Sequence, residues 1–553
     1  MAEEGSCANS YSFLHLVQHR FASHCCEALF SKAATIATQE LVAPLEENQG
    51  TSTGDVYVSM ENLFLYTVNE LEGNLGYLMT DQFASHPLRI LLAVLSGMPL
   101  VGVDSASLMQ SKKKEHVSIM GGNTTTTAGN MESQTVPESF EGAVDNMITG
   151  TVAGLDTTNL RVLATHPIAN PVLQLLLQLE LTRSGKQSAK DLNSVFRKLL
   201  PDDPPDEGTE SASFINSLAY DTIGSRLLEV ILTHAPGKTF KTLYRSSFSE
   251  KLGTLAKNEI AAFVVIKIIE RLNKDDLQIA VDHICPQIDT LIKRSRTSVI
   301  KSLIERCRVR QLDTQPISDA LQQTYGGEPA DRLKAMLKVN LTSTEGIAED
   351  RRKQLEAKDS SKVHGSLLAQ CMLEAPGPLR DLITDGLLAL ETPILIDLAK
   401  DRTASRVLQN ALTCSDQTPK FRRILIPRFY DRIEDLSMDT VASHLVDSLW
   451  QALEGLTFIR ERIAAEIARH ESALRASVSG RAVWRNWKMD IYKTRKHEWL
   501  NDGKGHILKP KSGIEFARER AMAKTNASNH QQKALKSKAQ VTSGANRIQT
   551  KAS

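Results

Sequence analysis

A six-residue block recurs through this chain, and recurrence constrains it to stack copies of one unit rather than close around a single centre. In the block a small residue is followed by Ser or Asn, a polar or proline residue, two mostly apolar residues, and a long polar one. The copies read Ala22-Ser23-His24-Cys25-Cys26-Glu27, Ala84-Ser85-His86-Pro87-Leu88-Arg89, Ala169-Asn170-Pro171-Val172-Leu173-Gln174, Gly224-Ser225-Arg226-Leu227-Leu228-Glu229, Ala404-Ser405-Arg406-Val407-Leu408-Gln409 and Ala442-Ser443-His444-Leu445-Val446-Asp447. Weaker copies start at Ala261, Arg296, His364 and Ser479. With the second residue as marker, Ser225, Ala262 and Thr297 follow at 37 and 35 residues, and Gly365, Ser405, Ser443 and Gly480 at 40, 38 and 37. This is the period of stacked units of two or three helices, none of which buries its apolar face alone. The longer gaps of 62, 85, 55 and 68 residues require insertions or weaker units.

Between the blocks the pattern is helical. Val172, Leu173, Leu175, Leu176, Leu177 and Leu179 form one apolar band, and Ile260, Phe263, Val264, Ile266, Ile268 and Ile269 another. No alternating strand pattern of any length occurs. Hydrophobic residues make up 41% with only 5% aromatic, which suits Leu-rich helices, and 24% charged residues suit a globular chain. No run of 18 apolar residues occurs, and Met1 to Ser10 lacks a basic and apolar leader, so neither a membrane span nor secretion is expected. Seven cysteines, an odd number without paired C-x-x-C knuckles, point to a reducing compartment without a disulfide framework.

The divisions expected are N-terminal repeats over 1–102, a low-complexity insertion over 103–142, and middle repeats over 143–325 with a mobile loop at 183–213. A charged insertion or degenerate repeat follows at 326–359, then C-terminal repeats and a cap over 360–500, and a basic flexible tail over 501–553. The formal net charge of +1 hides a division at Arg481. From there to Ser553 the chain has 17 Lys+Arg against 5 Asp+Glu, a net of +12; the rest carries 49 against 60, a net of −11. Trp484, Trp487, Tyr492 and Trp499 interleave with cations, which suits phosphate contact with stacking. Burial of the open end of the last repeat explains Trp484 and Trp487 better.

On a helix the second and sixth residues of the block are one turn apart on one face, and the third is rotated by about 100°. In stacked repeats that face becomes a groove lined by Ser or Asn, then His, Arg or Phe, then Glu, Gln, Arg or Asp. Such a groove suits single-stranded RNA: the i, i+4 pair can hydrogen-bond a base edge and the third residue can stack beside it. A protein-binding solenoid would present a similar face, with small residues for close helix approach and solvated polar groups beyond.

The blocks resemble the RNA-reading helix of Pumilio (PUF) repeats. More narrowly, the number and spacing of copies, the insertions, and the closing Gly480-Arg481-Ala482-Val483-Trp484-Arg485-Asn486-Trp487 before a basic tail are similar to the nucleolar protein nine family, over roughly Leu14 to Leu500. The resemblance implies an all-α, Pumilio-like helical-repeat solenoid curved into a horseshoe or C shape. It implies a monomeric nucleolar protein that binds small-subunit precursor ribosomal RNA among pre-ribosomal particle proteins, and limits a nuclease without cutting RNA itself. That family has material before its first repeat, whereas a repeat begins here at Leu14, which leaves an incomplete N-terminus open.

Carried over by position, Ser23 with Glu27 and Ser225 with Glu229 match the guanine pair, and Asn170 with Gln174 the uracil pair. Ser85 with Arg89 and Ser443 with Asp447 stand in the same places, and Ser405 with Gln409 is off-code. The stacking places hold His24, His86, Arg226, Phe263, Arg406 and His444, of which only Phe263 is a strong aromatic platform; Pro171 stacks less well. Ala262 with Ile266, and Gly365 with Ala369, cannot hydrogen-bond a base, so partial sequence selectivity is expected.

Enzyme chemistry finds no foothold in the sequence. His15 and His19 are i, i+4 but lack the intervening Glu of H-E-x-x-H and read as surface or packing histidines. Gly121-Gly122 lacks the Gly-Lys-Ser/Thr ending of a phosphate loop, and no G-x-G-x-x-G or G-x-S-x-G is present. Neither a metal nor a cofactor is expected. An armadillo- or HEAT-like protein adaptor with a basic tail is the alternative reading.

Overall fold

The computed structural model of this chain describes residues 12–42, 58–99, 135–339, 348–414 and 419–502. Every recurring block lies on a helix. In chain order these are α1 (Ala22–Val42), α2 (Ser85–Leu95), α3 (Ala169–Ser188), α4 (Gly224–His234), α5 (Ala261–Ile269), α6 (Thr297–Arg310), α7 (Ala348–Glu374), α8 (Ser405–Thr413), α9 (Ser443–Ala452) and α10 (Val478–Asn486). Each packs on the next, α1 on α2 through to α9 on α10, so the ten form one row in sequence order. A second helix, such as Thr157–Thr165, Glu210–Tyr220 or Ile433–Met438, most often short, precedes most of them and packs against the row helix that follows. No strand occurs among the described residues. The architecture is an all-α helical-repeat solenoid.

The block's own pattern explains the stacking. Its fourth and fifth residues are fully buried in most copies, as in Val172 and Leu173, Leu227 and Leu228, Val299 and Ile300, and Leu445 and Val446, although Cys25 of the first copy is exposed. Each such side chain contributes about 1.5–3 kcal/mol of burial. The small first residue lets the preceding turn lie against it: Ala84, Ala169, Ala261, Ala404 and Ala442 are all buried. At Gly365 a methyl group would strike the backbone carbonyl of Met336, so only glycine permits α7 to cross there.

One residue ends each short helix and starts the next. His19, His166, Asp221, Asn258, Asp401 and Asp439 stand in extended backbone at the end of the short helix. Their side chains then accept hydrogen bonds from the amides two and three residues on. Asp221 Oδ1 takes Ile223 and Gly224 at 2.9 and 2.6 Å, and Asp439 Oδ1 takes Val441 and Ala442 at 2.8 Å each. Asp81 caps α2 in the same way. This satisfies amides that a helix start leaves without partners.

At the other end of the row helices, arginines tie neighbours together. Arg271 donates to the carbonyls of Leu232 and Ala235 and Arg306 to that of Leu272; outside the row, Arg428 donates to Leu388 and Leu390 at the end of the helix Pro378–Ala389. These cations neutralise helix C-terminal dipoles in a body of net negative charge.

The stretch 183–213 is not the loop that its Pro201-Asp202-Asp203-Pro204-Pro205 run suggests. α3 continues to Ser188 past a kink at Ser184, and Val195–Leu199 is helical. The buried Glu180 carboxylate accepts from the Val195 and Phe196 amides at 2.9 and 3.0 Å, and Arg197 Nε donates to the Ala189 carbonyl at 2.7 Å. Burial pushes the Glu180 carboxyl up while those two amides pull it down, and burial prevails. Most of the 103–142 insertion and nearly all of the 501–553 tail lie outside the described residues, although the helix Glu138–Ala153 begins within the former. The 326–359 stretch contains the helix Pro329–Leu337 and the start of α7.

An aromatic cluster closes the C-terminal end. Trp484, Trp487 and Trp499 are buried, with Trp487 Nε1 donating to the Val446 carbonyl and Trp499 Nε1 to that of Trp487. Trp450 meets Trp487 and Trp499 edge-on, and the buried Arg460 guanidinium lies 3.3 Å from the Trp450 ring centroid. These tryptophans therefore cap the solenoid, and Trp499 is not exposed for stacking.

Candidate nucleic-acid interface

The sequence-predicted residues all fall near the first turn of row helices and so stand side by side. Their exposure follows the block. The second residues Ser23, Ser85, Asn170, Ser225, Ser405 and Ser443 are at most 5% exposed, wedged between adjacent helices. The third residues His24, Arg226, Phe263, His444 and Arg481 are exposed, and His86 and Arg406 are half-buried. The sixth residues Glu27, Glu229 and Asp447 are half-buried, whereas Arg89, Gln174 and Gln409 reach only 3–8% exposure.

In the free chain these groups satisfy one another. The Gln174 amide donates to Asn170 Oδ1, whose own amide reaches the Ala164 carbonyl. His24 Nδ1 lies 3.4 Å from Glu27 Oε1, Arg89 contacts His86 Nδ1 at 2.8 Å, and Arg406 donates to Gln409 Oε1 at 3.2 Å. Burial brings Arg89 down to about 10, opposed by the Glu27 carboxylate of the neighbouring helix. Seven buried side-chain atoms among the described residues have no hydrogen-bond partner; five are arginine nitrogens, and the other two, Ser405 Oγ and Asp447 Oδ1, belong to the second and sixth places of this ribbon. Asn486 reaches the other Asp447 oxygen at 2.9 Å, and burial holds this carboxyl above the usual range. Orphaned buried polar atoms cost about 1–3 kcal/mol unless something hydrogen-bonds them.

The register at α7 is corrected by the structure. The pair is not Gly365 with Ala369 but Ser366 with Gln370, one residue on: the Gln370 amide donates to Ser366 Oγ at 3.1 Å. Gln370 Oε1 accepts from Asn410 of α8, and Ser366 donates to the Thr403 carbonyl. Gly365 is then the small residue and Leu367 the third. The signal was present as Gly-Ser-Leu-Leu-Ala-Gln. At α5 and α6 the pairs are Ala262 with Ile266 and Thr297 with Lys301.

The third places of the ten helices hold three arginines, three histidines, Pro171, Phe263, Ser298 and Leu367, and no carboxylate. Arg226 and Arg406 lie in the part of net −11 and Arg481 opens the basic part, so the third places carry positive and no negative charge, which suits a polyanion. The sequence reading missed the capping residues, whose mark is an Asp, Asn or His three residues before the small residue. His19, weighed above as half of a histidine pair, is one of them, its Nδ1 accepting from the Phe21 and Ala22 amides. Burial pushes the Cys285, Cys307 and Cys371 thiols up to about 12, far from nucleophilic range.

Fold and ribbon together define an α-solenoid of the Pumilio-repeat class. A family model described as the NOP9-like PUF repeat domain matches residues 8–482, and the chain belongs to that family. It is 46% identical over 531 residues to Nucleolar protein 9 of Coccidioides posadasii, covering 92% of this chain and 73% of that protein. It is 50% identical over 495 residues to Nucleolar protein 9 of Pyrenophora tritici-repentis, covering 88% and 69%. Among solved structures, APUM23-GGAGUUGACGG superposes with a TM-score of 0.69 at 21% identity, covering 89% of this chain and 86% of that one. At that identity the likeness is one of fold.

Proposed function

We propose that this chain is a nucleolar RNA-binding protein of ribosome biogenesis that holds single-stranded small-subunit precursor rRNA along the ribbon of α1–α10, on the concave side of the solenoid. The relatives' shared name, Nucleolar protein 9, supports the compartment, and APUM23 is a protein of the same fold whose structure carries an RNA sequence in its name. The observation that carries the reading is the ribbon itself: second and sixth residues that are polar on α1–α4 and α6–α9, beside third residues that include three arginines and no carboxylate, with Ser405 Oγ and Asp447 Oδ1 lacking partners. Base edges exchange with the internal hydrogen bonds of the pairs, third residues stack, and arginines meet phosphates. Held this way, as a monomer among pre-ribosomal proteins, the RNA is withheld from a nuclease, and the chain makes no cut itself.

Filter binding to precursor rRNA fragments tests this. Replacing Ser225, Arg226 and Glu229 together by alanine lowers affinity about tenfold or more, and relaxes guanine preference at one position. Affinity falls steeply with salt for the intact chain. An adaptor that binds only proteins loses no RNA affinity from the triple replacement beyond what deletion of 501–553 removes, and that outcome overturns the reading.

A further inference from the structure

The first helix of the row differs from the others at the residue just before its small residue. In the later units that place holds Phe83, Ile168, Ile223, Ile260, Thr403 or Val441, each half-buried. In α1 it holds Phe21, which is 69% exposed. Among the described residues no row helix stands before α1. A lone exposed phenylalanine needs no explanation, but this one has a particular setting. The Arg20 guanidinium carbon lies 5.4 Å from its ring centroid and the His19 ring 6.0 Å away, tilted by 53°. One turn further along, exposed His24 begins the stripe of third residues.

We infer that Phe21, with Arg20 and His24 beside it, is a stacking platform for one nucleobase beyond those lying on the ten-helix ribbon. The inference rests on the RNA reading above. Position supports it, because Phe21 stands three residues, about one helical turn, before His24, the first member of the third-residue stripe. Charge supports it as well: Arg20 and His24 can meet the flanking phosphates, and the nearby Glu27 carboxylate is engaged by His24. The exposed apolar residues Leu29 and Ile36 lie about two and four turns further along α1, away from this cluster.

The test begins with the tightest binder selected from a random 20-nucleotide RNA pool on the intact chain. That RNA is shortened one nucleotide at a time from either end, and filter binding is measured for the unaltered protein, Phe21→Ala, Phe21→Leu and Phe21→Tyr. The expected result is a loss of about tenfold for both Ala and Leu, with Tyr close to unaltered. Removing the terminal nucleotide at one end then costs the unaltered protein a similar factor and costs Phe21→Ala nothing. The platform is overturned if Phe21→Leu binds like the unaltered chain, or if shortening costs both proteins equally. It is also overturned if Phe21 variants keep their RNA affinity while losing a co-purifying protein. The Ser225, Arg226 and Glu229 triple replacement, run in parallel, separates the two readings. If it is silent the RNA reading itself fails, whereas a sensitive triple with silent Phe21 variants removes only the platform.

Discussion

In α5 the second and sixth residues are the apolar Ala262 and Ile266, and in α6 they are Thr297 and Lys301, whereas in α1–α4 and α7–α9 a Ser or Asn stands with Glu, Arg, Gln or Asp. The scaffold is otherwise the same in the two regions. Val264, Val265, Val299 and Ile300 are as completely buried as Leu227, Leu228, Val407 and Leu408, and α5 touches α4 and α6 as its counterparts touch their neighbours. Stacking therefore does not require a Ser–Glu or Asn–Gln pair one turn apart. At α5 the stack continues without a polar pair, and neither place there holds a side chain that can hydrogen-bond a base edge.

The largest expected effect tests the shared part of that comparison. Leu228→Ala in a flank and Ile300→Ala in the middle each cost about 2–5 kcal/mol, measured by urea unfolding followed by circular dichroism. A middle that tolerates the loss would break the equivalence of the two regions. Next, Phe263→Ala removes the one strong aromatic third residue of the middle, and lowers RNA affinity by about 1–3 kcal/mol without moving the unfolding midpoint. Grafting a pair into the middle, Ala262→Ser with Ile266→Glu, should create a guanine preference of about tenfold at one further position, read by competition between RNAs differing there.

A smaller effect distinguishes the caps. Asp401→Ala in a flank and Asn258→Ala in the middle each cost about 1 kcal/mol at neutral pH. Burial alone would raise the Asp401 carboxyl, but the Ala404 amide, the Thr403 hydroxyl and amide, and Lys362 together hold it below its ordinary value. Its contribution is therefore complete above the unfolded carboxylate range near pH 4 and disappears as pH falls through the lower folded value. The Asn258 contribution does not titrate. Melting temperatures between pH 7 and pH 3 should converge for Asp401→Ala and its parent, and stay apart for Asn258→Ala. Smallest of all, Asp447→Asn should stabilise by at most about 1 kcal/mol at neutral pH. Because burial raises that carboxyl, its ionised form costs stability above the folded pKa, and the cost is relieved as pH falls through it.

The row was legible in the sequence because burial recurs at fixed places in the block, and a helix face turns that recurrence into a line. The caps were not, because Asp, Asn and His look unlike one another and share only an acceptor atom at one offset. α7 was misread by one residue for a related reason: the helix runs through its block from Ala348, so no cap marks the register. The Pro and Asp residues after Leu200 outweighed Val195 and Phe196 in the reading of 183–213, whereas in the structure the carboxylate of Glu180, some 15 residues earlier, holds that turn. Phe21 escaped notice because it lies just outside the repeated block. What makes it stand apart is its 69% exposure, which the half-buried residues at the same place in later units do not share, and the local sequence does not reveal that difference.

The aromatic closure of the C-terminal end has an optical consequence. All four tryptophans, Trp450, Trp484, Trp487 and Trp499, stand in the last two units and their cap. Indole emission thus watches one terminus of a long, neighbour-coupled array and is blind to the other. Repeats peeling from the α1 side would lower the ellipticity while the emission maximum stays blue, and a red shift at nearly full ellipticity would mark loosening at the opposite terminus.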